Sequence, residues 1–290
     1  MNTMLRMSAL LLVTALLLSC RTGPKTTHFM HENLTKLWET EPRLTTSESV
    51  CFNPAENLLY VSCINGQPLE KNGQGFIAKV DPDGNIVDLK WIEGLDAPKG
   101  MGIFEGKLYV TDIDQLVEID IADGAIVNRF PAEGAQFLND ISIDAAGNVY
   151  VSDMTTNKIH RLSAGNFEVW LESEMLDTPN GLFVENDFLL IGMAGSVLKA
   201  GLQDAALSVY IENTGGIDGL EADGNGNYII SDWTGNVHLI HPGKEKIKLL
   251  DTTPVKQNAA DIEFIIEKNM LLVPTFFDNR VTAYEVKDFQ

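Results

Sequence analysis

The chain predicts an all-β fold, a six-bladed β-propeller, and three observations carry that expectation. One short phrase recurs six times: a polar residue, a small or acidic one and an aliphatic, followed after a turn by a strand reading like Tyr-Val-Ser-Asp. It stands at Glu48-Ser49-Val50, Lys99-Gly100-Met101, Asn139-Asp140-Ile141, Asn180-Gly181-Leu182, Asp218-Gly219-Leu220 and Ala260-Asp261-Ile262. Successive phrases begin 51, 40, 41, 38 and 42 residues apart, the period of propeller blades. Each repeat also holds several short strands punctuated by Gly, Asn and Asp turns, as an all-β array requires. Finally, a bulky residue stands eight to ten positions before each phrase, at Trp38, Trp91, Phe130, Trp170, Tyr210 and Leu250, which marks the outermost strand of a blade.

Taken in order, the chain starts with Arg6, an apolar run over 9–18 and then Leu17-Leu18-Ser19-Cys20. The run is too short for a spanning helix and suits an export signal. Its Leu-x-Ser-Cys ending resembles a bacterial lipobox, so residues 1–19 are expected to be removed and Cys20 acylated, with a plain signal peptide as the other reading. Arg21 is not the aspartate of an inner-membrane retention signal. The expected location is therefore exported, lipid-anchored on the periplasmic face of the outer membrane. Residues 20–32 read as a tether and 33–290 as the propeller, one domain with no room for a second.

In the third blade, strands are expected at 139–143, 149–153, 158–162 and 167–171, and in the fifth at 218–222, 228–232, 236–240 and 246–250. The sixth shows only three, at 260–265, 270–274 and 280–286. Its fourth is expected from about 33–40, with Trp38 in the outer aromatic slot, closing the ring and protecting an exposed edge. Once Cys20 is set aside, Cys51 and Cys63 remain. Both fall on one hairpin in which Cys51 should face a residue near Leu59, so two buried thiols are expected and not a disulfide.

A net charge of −20 argues against nucleic acid and anionic lipid as partners, leaving cations and neutral solutes. The expected partners are a small-molecule substrate and, through the lipid anchor only, a membrane; the expected state is a monomer. His238 and His241 are expected at the surface and not as ligands, and 223–227 as a hairpin turn, because it lacks the Gly and Glu of a calcium loop. No Gly-x-Ser-x-Gly elbow or zinc helix is present.

In a propeller the first residue of each innermost strand rings one mouth of the channel. Glu48, Asn139, Asn180 and Asp218 therefore converge, two carboxylates and two amide oxygens, which is a hard-cation ligand set. Ca2+ is the first choice, with Mg2+, Mn2+ or Zn2+ as the others. Lys99 occupies the same slot in the second blade and has two readings, a contact for a substrate carboxylate or developing oxyanion or a lysine solvated at the rim. Asp261 and the Phe276-Phe277 pair are candidates for the pocket wall. The longest of the loops over this mouth follows Cys63 and runs to Gly75, as either a wall or an insertion.

These motifs, above all Thr178-Pro179-Asn180-Gly181-Leu182, Ile217-Asp218-Gly219-Leu220 and Phe137-Leu138-Asn139-Asp140, resemble the family of senescence marker protein, gluconolactonase and luciferin-regenerating enzyme, over most of the propeller. The resemblance implies Glu48, Asn180 and Asp218 as ligands of one divalent metal and Asn139 as a ligand or substrate contact. It also implies metal-dependent hydrolysis of lactones or related esters, with Asp218 as the catalytic general base. The chain departs from the family where Ser49-Val50-Cys51 follows Glu48 in place of Gly-Pro and an aromatic residue, and where Phe137 stands in place of an arginine. A non-catalytic, lipid-anchored propeller binding a protein, peptide or glycan and a metal-assisted lyase are the alternative functions.

Overall fold

The computed structural model describes residues 27–287. The expected leader, the lipidation residue Cys20 and residues 20–26 of the expected tether lie outside the described residues. Within them the protein is a six-bladed β-propeller, and its helical content is two single 3₁₀ turns at Thr253–Val255 and Ile266–Lys268.

Each blade is an antiparallel sheet whose strands run outward from the channel in chain order. The first comprises Ser47–Asn53, Leu58–Cys63, Gly75–Val80 and Ile86–Leu95; the second, Pro98–Phe104, Lys107–Asp112, Gln115–Asp120 and Ala125–Pro131. The third runs through Leu138–Ile143, Val149–Asp153, Lys158–Ser163 and Asn166–Glu172, the fourth through Leu182–Glu185, Phe188–Gly192, Ser196–Gly201 and Leu207–Glu212. The fifth holds Leu220–Ala222, Tyr228–Asp232, Asn236–Ile240 and Ile247–Asp251, the sixth Glu263–Ile265, Met270–Pro274 and Val281–Val286. The innermost strands of the fifth and sixth blades are shorter than expected, beginning at Leu220 and Glu263.

The ring closes as the aromatic spacing predicts. Leu34–Glu39 pairs with Val281–Val286, placing Leu34 opposite Val286 and Trp38 opposite Ala283. A second attachment was not foreseen: Phe29–Met30, within the span expected as tether, pairs with the outer strand of the fifth blade, Phe29 opposite Asp251.

Six apolar layers hold the ring together, each packed between two successive blades. One, for example, joins Leu59, Val61 and Ala78 of the first blade to Leu272, Val281 and Ala283 of the sixth, so the seam is as well packed as any other joint. The outer aromatics seal these joints. Trp38 lies so close to Gly84 of the next blade that a Cβ there would fall 2.6 Å from its ring, and Gly84, at φ +87°, tolerates both the backbone and the contact. Tyr60 and Trp91 stack with centroids 4.9 Å apart.

Cys51 and Cys63 are buried free thiols, opposite Tyr60 and Ser47 respectively. The 223–227 segment is a turn satisfied from within, since the Asp223 carboxylate accepts the backbone N–H groups of Asn225 and Asn227 at 2.7 and 3.0 Å. His238 corrects the surface expectation. It is buried in the third strand of its blade, and burial first, then Lys246 and Lys248, push its pKa down to about 4.

Candidate functional site

The recurring phrase works as a positioning device. In the first three blades the pairing register slips between Ser47 and Val50, Pro98 and Met101, and Leu138 and Ile141, spanning Glu48, Lys99 and Asn139. Such bulges re-aim a side chain. In the second and third blades the final Asp of the Tyr-Val-Ser-Asp-like strand then pins the segment before the bulge. The Asp112 carboxylate accepts the N–H of Ala97 at 2.7 Å, two residues before Lys99, and the Asp153 carboxylate accepts the N–H groups of Gln136 and Phe137 at 3.0 and 3.1 Å, just before Asn139. The Ser of the same strand caps the neighbouring backbone, as where Ser62 Oγ accepts the Ser49 N–H at 2.9 Å.

Glycine follows three of the ring residues because the innermost strands nearly touch. A Cβ on Gly181 would lie 2.6 Å from the Asp218 carbonyl oxygen, and one on Gly219 would lie 2.5 Å from the Ile262 nitrogen. In the third blade Asp140 stands there instead, and its carboxylate accepts the Leu182 N–H of the next blade at 2.6 Å.

Glu48, Lys99, Asn139, Asn180 and Asp218 form the polar floor of one cavity of about 250 Å³ at the channel mouth, and Phe276 lies in its wall. All five floor residues are buried. Asn180 Nδ2 donates to Asp218 Oδ1 at 2.8 Å, and Asn139 Nδ2 lies 2.8 Å from Met154 Sδ. Lys99 Nζ donates to the Ala97 carbonyl at 2.9 Å and sits 4.8 Å from the centre of the Phe137 ring. At 1 % exposure it is not a solvated rim lysine. Asp261 sits outside this lining. It is buried behind it, where its carboxylate accepts the Ser49 hydroxyl and its N–H bonds the Glu48 carbonyl at 3.0 Å. Phe277 is exposed beside the mouth.

The long loop after Cys63 serves as wall, since Ile64 and Pro68 both line the cavity. It is tied down by the Gly73 N–H on Asp96 at 2.8 Å and by Lys71 on Asp114 at 2.6 Å. Ile64, Pro68, Met154 and Trp233 are lining residues that the sequence did not single out. Pro68 follows no repeat rule, whereas Ile64, Met154 and Trp233 each come directly after the last residue of a Tyr-Val-Ser-Asp-like strand, at Cys63, Asp153 and Asp232, a positional signal visible in the chain.

Burial dominates the electrostatics. It raises the pKa of Glu48, with the Asp218 charge adding to the effect and Lys99 opposing it. It lifts Asp218 to about 7 against the hydrogen bond from Asn180. It lowers Lys99 to about 8 against the attraction of Glu48 and Asp112. Two carboxylates in so dry a place call for a compensating charge. Among the described residues no three His, Cys, Asp or Glu side chains converge as a metal-binding set, so the donor set here is mixed, two carboxylates with two amides. Glu48 Oε2 is buried with no hydrogen-bond partner. An orphaned carboxylate oxygen among carboxylate and amide donors fits a hard cation.

No protein-family model and no curated protein matches the chain. Among solved structures it is similar to a gluconolactonase of Xanthomonas campestris, with 17% identity, a TM-score of 0.67, and 87% of this chain and 89% of that one covered. It is also similar to a streptogramin B lyase, at 12% identity and a TM-score of 0.63, over 88% of this chain and 97% of that one. At these identities the likeness establishes the six-bladed propeller fold.

Proposed function

We infer that the protein is a divalent-metal-dependent hydrolase of lactones or related esters, of the gluconolactonase-like kind, working at the mouth of the channel. The observation that carries this reading is the orphaned, buried Glu48 Oε2 in a residue that lines one cavity with Asp218, Asn180 and Asn139. The propeller neighbours, a gluconolactonase among them, support it at the level of fold.

Glu48, Asn180 and Asp218 would hold the cation, with Asn139 as a fourth oxygen or as a substrate contact; Ca2+ suits these hard donors best. When bound, the cation supplies Lewis acidity toward the ester carbonyl. Asp218, with a pKa near neutrality in the metal-free site, accepts the proton of the attacking water. The water oxygen bonds to the acyl carbon, the ring C–O bond breaks, and that proton passes to the departing alkoxide. Lys99, with its ammonium buried at the floor, stabilises the negative charge that develops on the carbonyl oxygen. Asn139 orients the carbonyl.

The test is a panel of lactones with the calcium-loaded chain, with chelator, and with Asp218→Asn. Turnover that vanishes with chelator and with the variant supports the reading; turnover indifferent to both contradicts it. A lyase is the second reading, favoured by the streptogramin B lyase neighbour, which matches nearly as well. There Asp218 would take a carbon-bound proton, and labelled water would leave no oxygen in the product. Export and anchoring through Cys20 are proposed with this function, and loss of membrane association in Cys20→Ala checks them.

A further inference from the structure

We propose that the substrate of this site carries a flat apolar group, an aryl ring above all, and that Trp233, Phe276 and Phe277 select it over the polyhydroxylated ring of a sugar lactone. The proposal rests on the hydrolase reading given above.

The cavity has two chemically distinct halves. Its polar residues all lie in the floor, whereas its walls are Ile64, Pro68, Phe137, Met154, Trp233 and Phe276. Apart from the Trp233 indole N–H and the weakly accepting Met154 sulfur, no wall side chain offers a hydrogen-bonding group. A ring carrying several hydroxyls would lose its water there and find too few partners, at a cost of roughly tenfold in affinity or more for each unsatisfied group. An aromatic or alkyl group loses nothing and gains contact on all sides. At about 250 Å³ the cavity is slightly smaller than the usual drug-sized pocket of roughly 300 Å³ and upward, so one ring and its ester fill it. Anything larger must lie across the rim.

The rim is built for that. Trp233 is 44% and Phe277 62% exposed. They meet edge to face with centroids 5.8 Å apart, and Phe276 joins both at 5.4 and 4.8 Å. Two large aromatic side chains left in water add nothing to the core. They continue the buried Phe276 wall outward as a platform.

Phe276 is held in place at a cost to the backbone. Its φ is +49°, a left-handed conformation that bulky residues rarely adopt. Its N–H bonds the Ser47 carbonyl at 3.1 Å and its carbonyl accepts the Asn279 N–H at 3.0 Å, while the Thr275 hydroxyl accepts the Arg280 N–H at 3.1 Å. The ring packs on Ile64, Ala97, Ile113 and Ala260, and Ile113 is itself a β-branched residue at φ +61°. Strained, over-determined residues of this kind cluster at ligand sites.

Three lactones of one ring size separate the terms: γ-butyrolactone, γ-phenyl-γ-butyrolactone and glucono-γ-lactone, each with the calcium-loaded chain. The expected kcat/KM for the phenyl lactone exceeds that for the sugar lactone by about 100-fold. In the Trp233→Ala, Phe277→Ala double variant the ratio of phenyl lactone to butyrolactone falls about tenfold, while Phe188→Ala, at an exposed phenylalanine outside the cavity, leaves the ratio where it was. A sugar lactone processed as well as the phenyl lactone, or a ratio unmoved in the double variant, overturns the proposal. If none of the three is hydrolysed, the hydrolase reading fails, and the wall is judged by binding alone. Saturation-transfer NMR with γ-phenyl-γ-butyrolactam, an amide that resists hydrolysis, then supports the aryl site if the phenyl protons are saturated by wild type and not by the double variant. No transfer from wild type overturns it.

Discussion

The side chains of Asn180 and Asp218, 38 residues apart in the chain, are joined by a hydrogen bond of 2.8 Å at the mouth of the channel. The bond consumes the Asn180 amide N–H and one Asp218 oxygen, and it leaves the Asn180 carbonyl oxygen and the second Asp218 oxygen as donors for a cation. Replacing Asp218 by Ala removes a carboxylate from a two-carboxylate site. Calcium affinity measured calorimetrically is expected to fall at least about 100-fold, and kcat/KM about 10²- to 10⁴-fold. Full calcium affinity in this variant would remove Asp218 from the site.

Lys99 is predicted to act on metal and reaction in opposite directions. It shares the cavity floor with Glu48 and carries a buried charge. Lys99→Met takes away a cation that repels the metal, so calcium binds more tightly. The same change removes the group proposed to stabilise the oxyanion, and kcat falls roughly 100-fold. Parallel changes in both would argue that Lys99 serves the fold alone.

Close approach of the innermost strands is tested at Gly181. A Cβ there meets the Asp218 backbone oxygen at 2.6 Å, so Gly181→Ala forces two blades apart at the candidate ligands. About 1–3 kcal/mol of stability is expected to be lost, together with calcium affinity, which chemical denaturation and calorimetry measure separately.

The pH dependence has a defined sign. Burial raises Asp140, Asp218 and Glu263 to about 7. A carboxyl group whose pKa is higher in the folded state favours folding while protonated. That contribution is complete below its unfolded value of about 4 and lost as the pH climbs through about 7. Without metal, the thermal midpoint is expected to be lower at about pH 8 than at about pH 5. A cation at Glu48 and Asp218 offsets the buried negative charge, so calcium raises the midpoint more at the higher pH. An equal rise at both would contradict this.

Ring closure is tested by removing residues 33–40. Leu34 belongs to the apolar layer between the fifth and sixth blades, and the whole outer strand of the sixth blade goes with it. The ring then opens at one seam, and circular dichroism should show a large fall in the thermal midpoint. Unchanged unfolding would refute the closure.

The ring, its closure and the convergence of Glu48, Lys99, Asn139, Asn180 and Asp218 were legible because a repeat converts sequence period directly into spatial neighbourhood. Where no repeat applies, the chain was silent. Pro68 sits in an insertion peculiar to the first blade. Met154 and Trp233 do share one repeated position just past a strand end, but turn geometry there decides which way a side chain points, and the period alone does not. Phe29–Met30 pairs through its backbone, which leaves no mark in composition. Asp261 is the second residue of its phrase, which Ala260 opens, and that single step from the ring position moves it behind the cavity lining. His238 alternates like a surface residue, yet it lies in the third strand of its blade, flanked by the second and fourth, and burial follows from its neighbours and not from its own segment.

The most direct measurement is a crystal structure of the protein soaked with calcium or with a lanthanide whose anomalous signal marks the ion. The account predicts one cation at the channel mouth, within about 2.3–2.6 Å of carboxylate oxygens of Glu48 and Asp218 and the amide oxygen of Asn180. An ion bound elsewhere, or none at millimolar calcium with these side chains ordered around an empty floor, would contradict it.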